Sequence, residues 1–177
     1  MISFEKIDNQ NYLERREELV SLYLKVFTSG LSAQHIPDSE ARKFIDDIFI
    51  HGYGICGFIQ DKLVAALLST PPSFDQLSPK TVRDKYSDFD SEYIAEVLVD
   101  ENYRGNGIGK KLMQAFENQI NKETKHILLR VWDKNKAAVG LYTKSGYMPC
   151  GEITQTKLKP ISKEPFEMKK IYMTKST

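Results

Sequence analysis

The stretch that decides the fold is EVLVDENYRGNGIGK, residues 96–110. It continues a strand that begins near residue 93 and is apolar on both faces apart from Glu96, as in a strand inside a covered sheet. A short polar loop and three alternating glycines follow, and apolar residues then recur at helical spacing from Ile108 to Ile120. The sequence therefore predicts a buried strand, a glycine-rich turn and a helix in immediate succession.

The glycine-rich turn has the chemistry of an anion site. Glycine lets the backbone adopt angles that other residues avoid, and lets a ligand approach with no Cβ in the way. The first N–H groups of the helix have no intrahelical partner and carry the positive end of its dipole. Arg104, Lys110 and Lys111 add positive charge around them. A pyrophosphate is the ligand that this arrangement favours.

Two well-known glycine-rich motifs do not fit the turn. The phosphate-binding loop of nucleotide hydrolases requires a glycine where Arg104 stands and a hydroxyl where Lys111 stands. The dinucleotide fingerprint requires its third glycine where Lys110 stands. A turn that only packs a helix against a sheet would satisfy the pattern equally well, so the turn alone leaves binding and structural interpretations open.

The rest of the chain predicts a mixed α/β domain that spans residues 1–177. We expect a mostly antiparallel sheet of about six or seven strands with a central parallel β-α-β step, flanked by about four helices. The 70–91 segment carries three prolines and many polar side chains, which indicates a long and functional excursion. The predicted strands are 2–7, 53–59, 63–69, 93–99, 126–131, 147–158 and 166–174, with a hairpin turn around Asp61 and Lys62. The first predicted helix ends before a cap at Gly30, the second has Asp38 or Ser39 as its N-cap, and the others cover 108–120 and 134–145.

Composition sets limits on partners and compartment. Lys plus Arg total 25 and Asp plus Glu total 24, which argues against a nucleic-acid partner that needs a broadly basic surface. No apolar run has the length of a signal peptide or a membrane span, so we expect no membrane association. Cys56 and Cys150 lack metal-ligand spacing and indicate free thiols in a reducing, cytoplasmic compartment. The three histidines are scattered, and we expect no metal.

Two motifs together resemble the GNAT superfamily of N-acetyltransferases. The first is Arg104 to Gly109, which is similar to the family's acetyl-CoA signature Arg/Gln-x-x-Gly-x-Gly/Ala. The second is Asn135 after a strand, Tyr142 one helix later, and then Gly146-Tyr147. The resemblance implies the GNAT-type acyl-CoA N-acyltransferase fold, acetyl-CoA as cosubstrate, an amine acceptor, direct transfer without an acyl-enzyme, and a homodimer.

The resemblance also implies roles for individual residues. The backbones of Val97, Leu98 and Val99 would pair with the pantetheine arm, Asn135 would contact it, and Tyr142 would lie near the sulfur. The pyrophosphate would be held by the turn and the first helical residues, which are Arg104, Gly105, Asn106, Gly107, Ile108, Gly109 and Lys110.

The chemistry of acetyl transfer suggests the catalytic residues. A phenol such as Tyr142 holds a proton at neutral pH that it can donate to the departing thiolate, although periodicity alone favours a packed core aromatic. Glu96 is the ionisable residue within the buried strand, and can take the amine's proton or form a structural ion pair. Glu92 is a weaker candidate of the same kind. A backbone N–H near Val99 is the candidate oxyanion donor.

The acceptor is expected between the first two helices, the 70–91 segment and the last two strands. That surface is rich in carboxylates, and several of them in the pocket would favour a cationic amine such as a polyamine, an aminoglycoside or a lysine. The alternatives are an acyltransferase that uses a longer acyl-CoA or a non-amine acceptor, and a non-catalytic module that binds CoA as a sensor.

Overall fold

The glycine turn connects the central strands of a seven-stranded sheet in a computed structural model that describes residues 1–30 and 32–177. The strands are β1 (Ser3–Ile7), β2 (Tyr53–Ile59), β3 (Lys62–Thr70), β4 (Ser91–Val99), β5 (His126–Trp132), β6 (Met148–Leu158) and β7 (Pro165–Ser176). The helices of the described residues are α1 (Tyr12–Phe27), α2 (Asp38–His51), α3 (Lys80–Arg83), α4 (Ile108–Glu117) and α5 (Lys136–Lys144).

The sheet has the order β1-β2-β3-β4-β5-β7-β6, and its neighbouring strands are antiparallel except for β4 and β5. This confirms the predicted mixed sheet with a parallel β-α-β step, in which α4 connects β4 to β5. The ladder between these two strands joins Ser91–Ile94 to His126–Leu129 and goes no further. The ends of β4 and β5 therefore separate, and the sheet opens beside the glycine turn.

Two apolar layers cover the sheet on opposite faces. On one face, α1 and α2 pack on the first four strands through buried residues such as Leu19, Ile45 and Leu68. On the other face, α4 and α5 pack through residues such as Leu112 and Phe116, which are fully buried. Burial of these side chains, at roughly 25 cal/mol per Å² of apolar surface, holds the two layers on the sheet.

A bulge in β4 changes the face to which its side chains point. The register with β3 pairs Ser69 with Ile94 but Leu68 with Glu96, so Ala95 is an extra residue. Before the bulge, Ile94 packs on the α4 side, as even-numbered positions do there. After it, Leu98 packs on the α1–α2 side. Since side chains alternate along a strand, Glu96 faces the α1–α2 side as well.

Several predicted boundaries were wrong in detail. Helix α1 ends at Phe27, where the Thr28 N–H bonds to the Leu24 carbonyl at 2.9 Å, so Gly30 is not its cap. Helix α2 already includes Asp38, and Pro37 holds the N-cap position with an extended ψ of 142°. The β2–β3 turn is centred one residue earlier than predicted, because Gln60 and Asp61 are the residues with the positive φ angles that a tight hairpin needs.

Other boundaries also differ from the prediction. Helix α4 ends at Glu117, three residues before Ile120. The 70–91 excursion has structure of its own, since it contains α3 and a short 3₁₀ turn at Pro72–Phe74. Its prolines are compatible with both, because a proline at the first turn of a helix loses no hydrogen bond.

Candidate active site

A cleft of about 900 Å³ opens where β4 and β5 separate. Its floor is formed by residues 94–97 of β4 and 129–132 of β5, and one wall by the glycine turn and the start of α4. Helix α5 and the segment after α1 complete the walls. The cleft thus extends from a helix N-terminus, across the split in the sheet, to Glu96.

The glycine turn presents free backbone donors to this cleft. Gly105 and Gly107 have φ angles of +80° and +72°, and a Cβ at either position would meet no atom within 4 Å. Within the described part of the chain, no hydrogen bond is donated by the N–H groups of residues 105–110, and the first is Lys111 N–H to the Gly107 carbonyl at 3.1 Å. These free donors lie at the positive end of the α4 dipole, where an anion is favoured.

Side chains fix the shape of the loop that precedes the turn. Asp100 accepts hydrogen bonds from the Asn102 N–H at 3.0 Å and from Lys25 Nζ at 2.9 Å. Burial alone would raise the pKa of Asp100, but these donors outweigh burial and lower it. Arg104 Nε donates to the Val99 carbonyl at 3.0 Å. Sequence reasoning missed Asp100, although an Asp at a strand end followed by a turn is a recognisable signal of such a bond.

Most of the residues predicted to bind the cofactor line the cleft, and two do not. Leu98 is fully buried among the residues under α1 and α2, and it pairs with Ala66 of β3, away from the free edge of β4. Asn106 uses its amide to bond to the carbonyls of Tyr103 and Arg104 at 3.2 Å. Asn135 lines the cleft but also caps α5, since its Oδ1 accepts from the Ala138 N–H at 3.1 Å.

Tyr142 lies at the inner end of the cleft and is 7% exposed. Its hydroxyl makes no hydrogen bond within residues 1–30 and 32–177, whereas its ring packs 6.1 Å from that of Tyr147. Burial, and to a lesser extent the charge of Glu96, raise the pKa of Tyr142. The phenol therefore keeps its proton throughout the neutral pH range.

Glu96 is partly buried at the split in the sheet. Desolvation raises its pKa to about 7, while the positive charges of Lys170, Arg130 and Lys157 oppose that rise. A carboxyl group of this kind exchanges a proton readily at neutral pH. Glu92, the weaker candidate, lies on the other side of the bulge, where Tyr53 and Ser69 hydroxyls donate to its Oε2 at 2.7 and 2.9 Å. It lies away from the cleft and is held as a structural carboxylate.

Beyond Glu96, the space between α1–α2, the 70–91 excursion and strands β5–β7 contains basic side chains that sequence reasoning missed. Arg130 Nη1 pairs with Asp75 Oδ1 at 3.0 Å, and the Tyr172 hydroxyl donates to Asp75 Oδ2 at 2.7 Å. Lys157 and Lys170 are partly buried at inward-facing positions of β6 and β7. Because the sequence predicts the acceptor in this region, we call it the acceptor chamber. The alternation of β6 and β7 could have revealed the inward lysines, but only with the register of the hairpin known.

Among residues 1–30 and 32–177, no three His, Cys, Asp or Glu residues are grouped to hold a metal ion. In the same part of the chain, every helix is too short or too polar to cross a membrane.

Free amides lie at one end of the cleft, and a carboxyl group with a pKa of about 7 and a protonated phenol lie at the other. Such an arrangement suits an enzyme that moves a group from a phosphate-bearing donor. The chain belongs to the acetyltransferase (GNAT) family, whose model matches residues 16–147. The chain has the fold predicted from its two motifs, and the donor used by this family is acetyl-CoA.

Similar proteins agree with this assignment. The chain is 30% identical over 63 residues to the spermine/spermidine N(1)-acetyltransferase of Bacillus subtilis (strain 168), a match that covers 34% of this chain and 41% of that relative. The acetyl-CoA-bound structure of yncA, a putative acetyltransferase from Salmonella typhimurium, has a TM-score of 0.71 at 10% identity, over 99% of this chain and 94% of that one. The ribosomal-protein-alanine N-acetyltransferase of Brucella melitensis has a TM-score of 0.70 at 15% identity, over 99% of both chains. At such identities the two structures support the fold alone.

Proposed function

We propose that this protein transfers the acetyl group of acetyl-CoA directly to an amine of a small molecule or peptide. The observation that carries the proposal is the row of unbonded N–H groups at residues 105–110, which face a cleft leading to Glu96 and Tyr142. A diphosphate suits these donors in number and charge. The open space at Gly105 and Gly107 leaves room for it.

The donor would extend from the glycine turn along the free edge of β4. In that position the backbones of Val97 and Val99 offer strand-like hydrogen bonds, because no strand pairs with β4 beyond Ile94 on this side within the described chain, whereas Leu98 pairs with Ala66 of β3. The Val99 carbonyl oxygen already accepts a hydrogen bond from Arg104 Nε. An N–H group of the bound cofactor would therefore bond to the second lone pair of that oxygen. Asn135 has its amide nitrogen left to donate, since only its Oδ1 is used in capping.

The two ionisable residues would divide the proton transfers between them. Glu96 would accept the proton of the attacking amine, directly or through water, and its pKa of about 7 suits that task at neutral pH. Tyr142 would donate to the departing thiolate, because its raised pKa keeps the phenol protonated. A backbone N–H near Val99 would stabilise the developing oxyanion. Neither Cys56, which is fully buried, nor Cys150 lines the cleft, in keeping with direct transfer.

The test combines binding with turnover. We expect acetyl-CoA to raise the melting temperature, and to release CoA thiol only when an amine from a broad panel is present. Initial-rate plots should intersect, as direct transfer requires, whereas parallel lines would indicate an acyl-enzyme. Stabilisation without CoA release across the panel would favour a sensor. Faster release from longer acyl-CoAs, or with alcohols, would favour the alternative acyltransferases.

A further inference from the structure

The acceptor chamber has two lysines whose charges are not matched by a bonded acid. Lys157 and Lys170 are partly buried, and within residues 1–30 and 32–177 neither forms an ion pair or a side-chain hydrogen bond. Arg130, the third cation, is neutralised by Asp75. Glu96 is the remaining acid inside the chamber, and Glu40 lies exposed at its rim at the start of α2.

The strand register places these lysines on the inner surface of the chamber. Lys170 pairs with Trp132 of β5 on one side and with Ile153 of β6 on the other. Trp132 is two residues from Arg130 on β5, so its partner Lys170 is directed to the face of the sheet on which Arg130 lies. On β6, residues 153, 155 and 157 are less exposed than residues 152, 154 and 156, which places Lys157 inward as well.

Burial acts on both lysines, and the charges of Glu96 and Arg130 act on them as well. Burial lowers the pKa of Lys170 to about 8, and the nearby Glu96 carboxylate opposes that effect. Burial also lowers the pKa of Lys157, as does the charge of Arg130. Both lysines thus lack an anion that would restore their ordinary pKa values. A further polar atom, Gln155 Oε1, is buried between Ile153 and Lys157 without a hydrogen-bond partner in the described residues.

The carboxylates that suggested a cationic acceptor are engaged elsewhere. Each of five forms an ion pair with a basic residue other than Arg130, Lys157 and Lys170: Asp38, Asp46, Asp47, Asp84 and Asp90. Asp88 bonds to Ser73, and Glu92 to hydroxyl groups on the other side of the bulge. Glu96 is therefore the free acid inside the chamber, and the other charged side chains there without an ion pair among the described residues are the cations Lys157 and Lys170.

We infer that the acceptor is an amine that also carries a carboxylate, held by Lys157 and Lys170 while the amine lies beside Glu96. This inference rests on the proposed acetyl transfer and names the class of its acceptor, an amino acid or a similar amino-carboxylate. A polyamine would bring further positive charge to a chamber that already has unpaired ammonium groups, and opposite charge favours encounter and binding whereas like charge opposes them.

The experiment compares matched acceptors. Each of the twenty amino acids is offered with acetyl-CoA as the free acid and as its amide, alongside spermidine, taurine and O-phosphoethanolamine, and CoA release is measured. We expect at least one free acid to exceed its amide and spermidine by about tenfold or more in kcat/KM. The Lys170→Met and Lys157→Met variants should lose most of that preference, mainly through KM. The matched control is Lys169→Met, because Lys169 is the adjacent residue, faces the opposite side and pairs with Glu152 at 2.8 Å.

The outcomes separate this inference from the proposed function. If spermidine or the amides are acetylated as fast as the acids, the inference is wrong and the acetyl transfer stands. The same holds if Lys170→Met and Lys157→Met keep the full preference for the acid. Faster turnover of taurine or O-phosphoethanolamine than of any amino acid would show that the acceptor carries a sulfonate or a phosphate and not a carboxylate, and the inference would be wrong. If acetyl-CoA binds and no amine is acetylated, both proposals fail.

Discussion

At the scale of single residues, Glu96 illustrates how opposing effects set one pKa. Desolvation favours its neutral form, and Lys170, Arg130 and Lys157 favour its charged form, with the result near 7. We therefore expect kcat/KM to rise about tenfold per pH unit below pH 7 and to level off above it, apart from the titration of the acceptor amine. In Glu96→Gln, this limb should disappear and kcat should fall by about 10²–10⁴.

The raised pKa of Glu96 also makes the free energy of unfolding depend on pH. Because the folded pKa of Glu96 is raised, the native state binds its proton more tightly than the unfolded chain. The contribution of Glu96 to the free energy of unfolding is therefore fully present below about pH 4 and is lost as the pH rises through 7. Glu96→Gln should therefore gain on the order of 3 kcal/mol over the wild type at pH 9 compared with pH 4, measured by urea unfolding. Glu152→Gln, an exposed control on β6, should show neither effect.

Tyr142 and Tyr147 are two buried tyrosines that can be compared directly, because only Tyr142 lines the cleft. Both are buried, but Tyr142 lines the cleft, while the Tyr147 hydroxyl is buried without a hydrogen-bond partner among the described residues. We expect Tyr142→Phe to lower kcat by at least about 100-fold with little change in KM or melting temperature. Tyr147→Phe should retain activity, because it removes a hydroxyl that bonds to nothing. Full turnover by Tyr142→Phe would exclude it as the general acid.

At the scale of elements, the turn before α4 depends on backbone conformations open to few residues. Gly107 has φ +72° and free space around a Cβ, so Gly107→Ala should destabilise the fold through the left-handed conformation alone, by about 1–2 kcal/mol. It should also weaken acetyl-CoA binding about tenfold or more, as measured by calorimetry, because the relaxed turn moves the free amides. Gly140→Ala is the control, since Gly140 lies within α5, has equal space and should gain about 0.5–1 kcal/mol. Unchanged affinity in Gly107→Ala would count against the anion site.

The elements also show where prediction from sequence succeeds. The order strand, glycine turn, helix was predictable because local periodicity and turn chemistry decide it. The bulge at Ala95 was not, because it arises from the register with β3. Without the bulge, Glu92 and Glu96 would share a face and would be hard to tell apart as candidate bases. The inward positions of Lys157 and Lys170 escaped prediction for the same reason, since a register belongs to two strands and not to either one.

At the scale of the whole molecule, net charge is a poor guide to the acceptor. The chain is almost neutral, at +1, yet its acids and bases are unevenly distributed. Most surface carboxylates pair with nearby basic residues, such as Asp84 with Lys80 within the 70–91 excursion. Lys157 and Lys170, on the inward-facing positions of β6 and β7, have no ion-pair partner among residues 1–30 and 32–177. Distribution of charge, which only the fold reveals, therefore governs the class of ligand that can enter.

The hydrogen bonds of Asp75 with Arg130 and Tyr172 connect the 70–91 excursion to the active site. A substitution at Asp75 therefore affects both the stability of the fold and the chemistry of the site. Asp75 is buried, anchors the excursion to β5 and β7 through Arg130 and Tyr172, and contributes negative charge near Glu96. We expect Asp75→Asn to lower the free energy of unfolding by about 2–4 kcal/mol, because it leaves the Arg130 charge uncompensated.

The same substitution should also move the acidic limb of the kcat/KM profile to lower pH. Asp75 raises the pKa of Glu96, whereas an unpaired Arg130 lowers it, so both changes act in one direction. Asp84→Asn is the control in the same excursion: its surface pair with Lys80 should be worth no more than about 0.5 kcal/mol, and the pH profile should not change. A limb that stays in place in a folded Asp75→Asn variant would show that the limb does not belong to Glu96.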